Sequence, residues 1–208
     1  MRNQSVRSWL SKERFGYHVS DALMCARQHV FKTMNPIPLT EREIELFNYG
    51  KSIHKSFADA LYYYNPTRFK PEYGVEYMGI TGHIDVMDLK KNIPIELKTT
   101  QQTWINEPKS FNIQQLKWYM ALLNSTTGFL IYHLNIVENR WKKFKITMTQ
   151  TEIHEQRHKL VNEMKSIKFA LKSKDASLAR AIWRDESLNW LCKNCPFINE
   201  CKEIDPRD

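Results

Sequence analysis

The sequence predicts an α/β layer fold whose two chain ends meet at a metal, and three observations carry that expectation. Signals for regular structure run helix, three strands, helix, two strands. Cys25 stands near the start, while Cys192, Cys195 and Cys201 crowd the last stretch. Asp85, Glu96 and Lys98 fall on two adjacent strand-like segments.

Residues 9–34 read as a mixed, helical entry carrying Cys25, closed by the break Asn35-Pro36-Ile37-Pro38. Thr40 and Glu43 form a capping box, and the spacing of Ile44, Phe47, Ala58 and Leu61 predicts a helix to about Tyr64. At that spacing His54 shares the inward stripe with Phe47 and Leu61. Strands follow at about Val75–Met78, Gly82–Leu89 and Ile93–Lys98, with a turn at Lys90-Lys91-Asn92. After a loop through Pro108, Ser110 serves as the cap of a helix over Phe111–Leu123. Strands Gly128–Leu134 and Arg140–Met148 are joined by a polar turn at Glu138-Asn139. Thr149 and Glu152 cap a long basic helix with the apolar stripe Ile153, Leu160, Met164, Ile167 and Leu171, and a further helical segment spans about Ala176–Trp190. Residues 1–40, 41–150 and 151–208 therefore read as an entry segment, a core and a basic appendage of one integrated domain.

The 208-residue chain is long enough to bury a substantial core. No apolar run approaches bilayer length and none follows the N-terminus, so no membrane role and a cytoplasmic location are expected. In that reducing compartment four cysteines spaced C-x2-C-x5-C plus one favour a metal cage over disulfides. Zinc and iron–sulfur both accept four thiolates, and the Cys195-Pro196 step favours iron–sulfur. The formal charge is +8, and residues 138–175 hold ten Lys/Arg against five Asp/Glu. Such a concentration suits a polyanion, because each neutralised phosphate releases a counterion; a solvated basic face is the plain alternative.

Glu96 and Lys98 are two apart on an extended segment and leave one face, while Leu97 points the other way. With Asp85 at the matching end of its strand, two carboxylates and an ammonium converge. Carboxylate oxygens hold hard cations such as magnesium or manganese, which acidify water and polarise phosphodiesters. A cross-strand salt bridge is the bland reading of the same residues. Gln115 and Tyr119 are one helical turn apart and face one way. Lys142, Lys143, Lys145 and Trp104 are candidate DNA contacts, with Tyr62, Tyr63 and Tyr64 as further stacking candidates.

The ordered set Gly50-x-x-x-His54, Gly82-x-x-Asp85, Glu96-x-Lys98, Gln115-x-x-x-Tyr119 and the cysteine triplet resembles the PD-(D/E)xK nucleases of the RecB type. More narrowly it resembles their iron–sulfur members related to the CRISPR-associated Cas-four exonucleases, over Cys25 to Cys201. Ile84 stands where the proline of the family name would be, and Asp88 is an alternative carboxylate. The resemblance implies a restriction-endonuclease-like core, a mixed sheet flanked by helices. It implies metal ligation by His54, Asp85, Glu96 and the Leu97 carbonyl, with Lys98 as catalytic lysine. Gln115 and Tyr119 would then contact DNA or support the catalytic residues. Cys25, Cys192, Cys195 and Cys201 would hold a cluster, usually 4Fe-4S. Implied too are magnesium- or manganese-dependent cleavage of single-stranded DNA, 5′ to 3′ with endonuclease activity alongside, and a CRISPR integrase as partner. A virus- or mobile-element-borne relative would carry the same motifs, and a homo-oligomer stays open. Two alternatives remain beside it: a zinc-stapled, non-catalytic nucleic-acid module, and an integrase-docking scaffold with an idle site.

Overall fold

A computed structural model describes residues 16–23, 25–134, 139–182 and 189–205. The elements are β1 (Tyr17–His18), α1 (Ala26–Met34), α2 (Glu41–Tyr64), β2 (Phe69–Tyr77), β3 (Ile80–Asp88), β4 (Ile93–Thr100), α3 (Ser110–Leu123), β5 (Thr127–Leu134), β6 (Arg140–Thr147), α4 (Gln150–Ser173) and α5 (Ile198–Ile204). The fold class is the expected one, a mixed six-stranded sheet flanked by helices. No described helix is long and apolar enough to cross a membrane.

Both long helices begin where the capping boxes stand. Thr40 accepts from the Glu43 amide and Thr149 from that of Glu152, with each glutamate reaching back to its threonine. Helix α3 and helix α4 end on left-handed Asn124 and Lys174, and Asn124 leads the chain into β5.

Several expectations are corrected. The described part of the entry segment opens with the short strand β1 and a 3-10 turn before α1; residues 9–15 lie outside the described residues. Strand β2 begins at Phe69 rather than near Val75. Lys109, not Ser110, is the N-cap residue of α3, and its side chain makes no capping bond. Where a helix is expected over Ala176–Trp190, the described residues show a 3-10 turn at Ala176–Leu178, where Asp175 holds the Ser177 amide and Ala179 is extended, and the start of a second 3-10 helix, Asn189–Asn194; residues 183–188 lie outside the described residues. Glu138 of the expected β5–β6 turn lies outside them as well.

The placement of β3 positions the site. It pairs with β2 along one edge, from Phe69↔Asp88 to Tyr77↔Ile80, with the register interrupted at Asp85 where Glu72 of β2 is left-handed. The other edge is shared: β1 takes Ile80 and Thr81 in parallel, and β4 takes Val86 to Asp88 in antiparallel. Residues 82–85 lie between those two pairings. Beyond the gap β4 continues in parallel with β5, and β5 pairs antiparallel with β6.

Three apolar clusters hold these layers. Ile80 and Ile84 pack with Trp118, Leu160, Met164 and Phe197, so the largest cluster draws on strands, helices and the C-terminal segment. Leu116 and Met120 of α3 cover Leu130, Tyr132 and Leu134 of β5. Gly128 permits that approach, since a Cβ there would lie 2.9 Å from Leu116 and Met120 atoms. Ala58, with Phe57 and Leu61, seats the C-terminal half of α2 on Phe69, Val86 and Ile95.

Candidate active site

At the gap in the β3 edge, side chains take over from the backbone ladder. Asp85 Oδ2 accepts the Leu97 amide at 2.7 Å, and the Asp85 amide donates to Glu96 Oε1 at 3.4 Å. His54, on α2, reaches the other Asp85 oxygen, with Nδ1 3.0 Å from Oδ1. Lys98 Nζ donates to Glu96 Oε2 at 3.1 Å and to Gln115 Oε1 at 2.8 Å, and Gln115 Nε2 stands 3.5 Å from the Tyr119 hydroxyl. His54, Asp85, Leu97, Glu96, Lys98, Gln115 and Tyr119 are thus one continuous network drawn from α2, β3, β4 and α3.

Local packing explains who stands where. Leu97 is fully buried, which turns Glu96 and Lys98 to the opposite face of β4. Gly82 is required by Tyr119: an added Cβ would come within 2.6 Å of its ring. Glu96 is 2% exposed. Burial and the neighbouring Asp85 charge push its carboxyl up to about 8, against the pull of Lys98. Burial alone would lower Lys98, yet Glu96 and Asp85 outweigh it and hold the ammonium charged. Burial, reinforced by the Glu96 charge, raises the Tyr119 phenol, which stays protonated.

The donor types suit a hard divalent cation, two carboxylates and an imidazole. Among the described residues no three His, Cys, Asp or Glu side chains stand gathered as a cage. Both Asp85 oxygens and both Glu96 oxygens accept protein N–H groups or face His54.

Asp88, the alternative carboxylate, belongs elsewhere. It receives Arg68 through Nε at 3.1 Å and Nη2 at 2.7 Å and also holds the Lys91 amide of the β3–β4 turn. These bonds keep it below the usual carboxylate range in spite of burial.

His54 does not share a core stripe with Phe47. Phe47 is 45% exposed, and both residues line an open groove of about 740 Å³ with Leu46, Gly50, Asp85 and Thr99. Periodicity alone could not show that α2 projects past the cluster seating its other half.

The four cysteines, Cys25, Cys192, Cys195 and Cys201, line a common cavity with Arg27 and Gln28, although among the described residues no three of them stand close enough to cage a single ion. Arg27 Nη1 and Gln28 Nε2 each stand 3.5 Å from a sulfur, of Cys201 and Cys195 respectively, and the Gln28 amide donates to Cys25. Burial raises the Cys25 thiol, partly offset by that amide. Arg27 and Gln28 were missed in the sequence, where nothing separates a buried arginine from a solvated one.

The candidate DNA contacts divide between two faces. Lys142 lies over the exposed Trp104 ring, 4.9 Å from its centroid, while Lys143 lies 5.2 Å over Phe129. Alternation on β6 sends Lys145 with Lys143. Trp141, not anticipated, shares that side and stacks on Phe57. Tyr63 and Tyr64 are exposed at the end of α2.

Solved structures of the same architecture include nucleases. The protein designated SSO0001 superposes with a TM-score of 0.59 at 20% identity, over 92% of this chain and 89% of that one. A phage-related exonuclease from Haemophilus somnus 129PT gives 0.53 at 12% identity, over 76% and 83%. The alkaline exonuclease of Laribacter hongkongensis gives 0.52 at 16% identity, over 83% of this chain and all of that one. The chain shares the fold of these proteins. The Laribacter enzyme has also been solved in complex with dAMP. No family model matches the sequence, and no curated protein does.

Proposed function

We propose that this chain is a metal-dependent deoxyribonuclease acting on single-stranded DNA, cutting from an end in the 5′ to 3′ direction. The observation that carries the reading is the Lys98 ammonium, held by Glu96 and Gln115 beside the His54–Asp85 pair. Structural pairing alone would not require a buried carboxylate raised to about 8, a lysine locked by an amide, and an imidazole from another helix on one network.

Magnesium or manganese, held by His54, Asp85, Glu96 and the Leu97 carbonyl, would supply an acidified water and offset phosphate charge. The chain's own residues do the rest. Lys98 presents a fixed positive charge toward the phosphate being attacked, and Gln115 keeps it from folding wholly onto Glu96. Tyr119, packed against Gly82, fixes the Gln115 amide.

The cysteine spacing and the shared cavity support the reading of an iron–sulfur cluster, 4Fe-4S by the resemblance. N–H donors aimed at sulfur suit thiolates. The resemblance supports trimming of DNA before CRISPR spacer integration, or DNA processing for a virus or mobile element.

The test uses protein purified without oxygen, end-labelled single- and double-stranded DNA, and manganese added or withheld. Cleavage of single strands only with metal, lost in Glu96→Ala and Lys98→Ala, is expected together with bound iron. Undiminished cutting by Glu96→Ala would refute the assignment.

A further inference from the structure

We propose that Phe47 and Leu46 of α2 form a nucleobase subsite, on which an unpaired base stacks while the phosphate of the neighbouring nucleotide lies at Asp85, Glu96 and Lys98. The inference rests on the nuclease reading and names how the strand is gripped.

Phe47 and Leu46 are 45% and 49% exposed, although a phenylalanine and a leucine side by side are costly to leave in water. They line the same groove as His54 and Asp85. Phe47 and His54 are seven residues apart, two helical turns, so they share a face about 10.5 Å apart along the axis. Gly50 lies between them on that face. Its missing side chain brings the α2 backbone close to Thr99, whose Oγ1 would stand 3.4 Å from a Cβ there. The apolar shelf and the candidate catalytic carboxylate therefore line one groove.

The charges decide which part of a nucleotide the shelf takes. Lys51 Nζ lies 4.6 Å over the Phe47 ring, and Lys55 is tied to Asp59 at 2.6 Å. With Asp59, Glu72 and Asp85 also lining the groove, its walls carry no basic excess to draw a run of phosphates. With Lys51 over one face, the half-exposed Phe47 ring offers a base its other face, and stacking tolerates any base. In a duplex the base faces are already stacked, so the shelf selects unpaired strand.

The test places 2-aminopurine, whose fluorescence changes on stacking, at successive positions of a single-stranded oligonucleotide bound to Glu96→Ala protein. One position should report stacking. Phe47→Ala and Phe47→Leu, both at an exposed site and expected to melt like the parent, should abolish that signal and raise Kd about tenfold. Phe47→Trp should restore it. Unchanged signal and Kd in Phe47→Ala, an equal signal from blunt duplex, or a change of oligomeric state in Phe47→Ala would each overturn the subsite. Cleavage by the parent protein with a Phe47-independent Kd removes the shelf and leaves the nuclease. A Phe47-dependent signal without metal-stimulated cleavage removes the nuclease and leaves the shelf.

Discussion

The Arg27 guanidinium stands 3.5 Å from the sulfur of Cys201, although 174 positions separate them. Its Nε also donates to the Ala179 carbonyl at 3.2 Å, and Asp205 lies 3.9 Å from Nη1. One buried side chain therefore ties the first helix to two parts of the C-terminal segment.

Arg27→Ala removes those donors from groups that stay buried. The loss is about 1–3 kcal/mol, typical of a stranded buried acceptor. At roughly 2–4 °C per kcal/mol for a chain of this size, the melting temperature should fall by several degrees. Cys201→Ser should lower it further in protein purified without oxygen, with loss of visible absorbance. Unchanged melting in both variants would show that the two ends are not coupled.

Gly82→Ala should disturb the site without touching a charged residue. A Cβ 2.6 Å from the Tyr119 ring and 3.2 Å from Val19 forces the ring away, and Gln115 with it. DNA cleavage should drop at least tenfold while the protein stays folded by circular dichroism. Full activity would mean that Tyr119 and Gln115 do not position Lys98.

Glu96 makes stability depend on pH. Its carboxyl titrates at about 8 in the folded protein, against 4.5 for an ordinary glutamate. The folded state therefore gains from the protonated group fully below 4.5 and loses that gain as pH rises through 8. In buffer stripped of divalent ions, melting temperature should decline across this window, and Glu96→Gln should flatten the decline. Manganese should raise melting more at pH 8 than at pH 5, because it competes with the proton. Identical profiles for parent and Glu96→Gln would contradict the burial argument.

Arg68 and Asp88 support the fold rather than the chemistry. The Asp88 carboxyl is held low, so its contribution is present above 3.8 and fades as pH falls through the depressed value. Asp88→Asn should lower stability by about 1.5–3 kcal/mol, the range for charge-assisted bonds. Cleavage should persist once the protein is folded. Loss of cleavage at full stability would return Asp88 to the list of metal ligands.

The sequence by itself determined what short-range chemistry can state. Thr40 with Glu43 and Thr149 with Glu152 announced two helix starts, because capping needs only residues three apart. Alternation on Ile93–Lys98 placed Glu96 and Lys98 together with Leu97 behind them. Tertiary structure alone decided what depends on strand pairing between distant residues. It split the β3 edge between β1 and β4, brought His54 across 31 positions to Asp85, and turned Phe47 out of the core into the groove. A periodic stripe says that a face is apolar; only the neighbouring layers decide whether protein covers it.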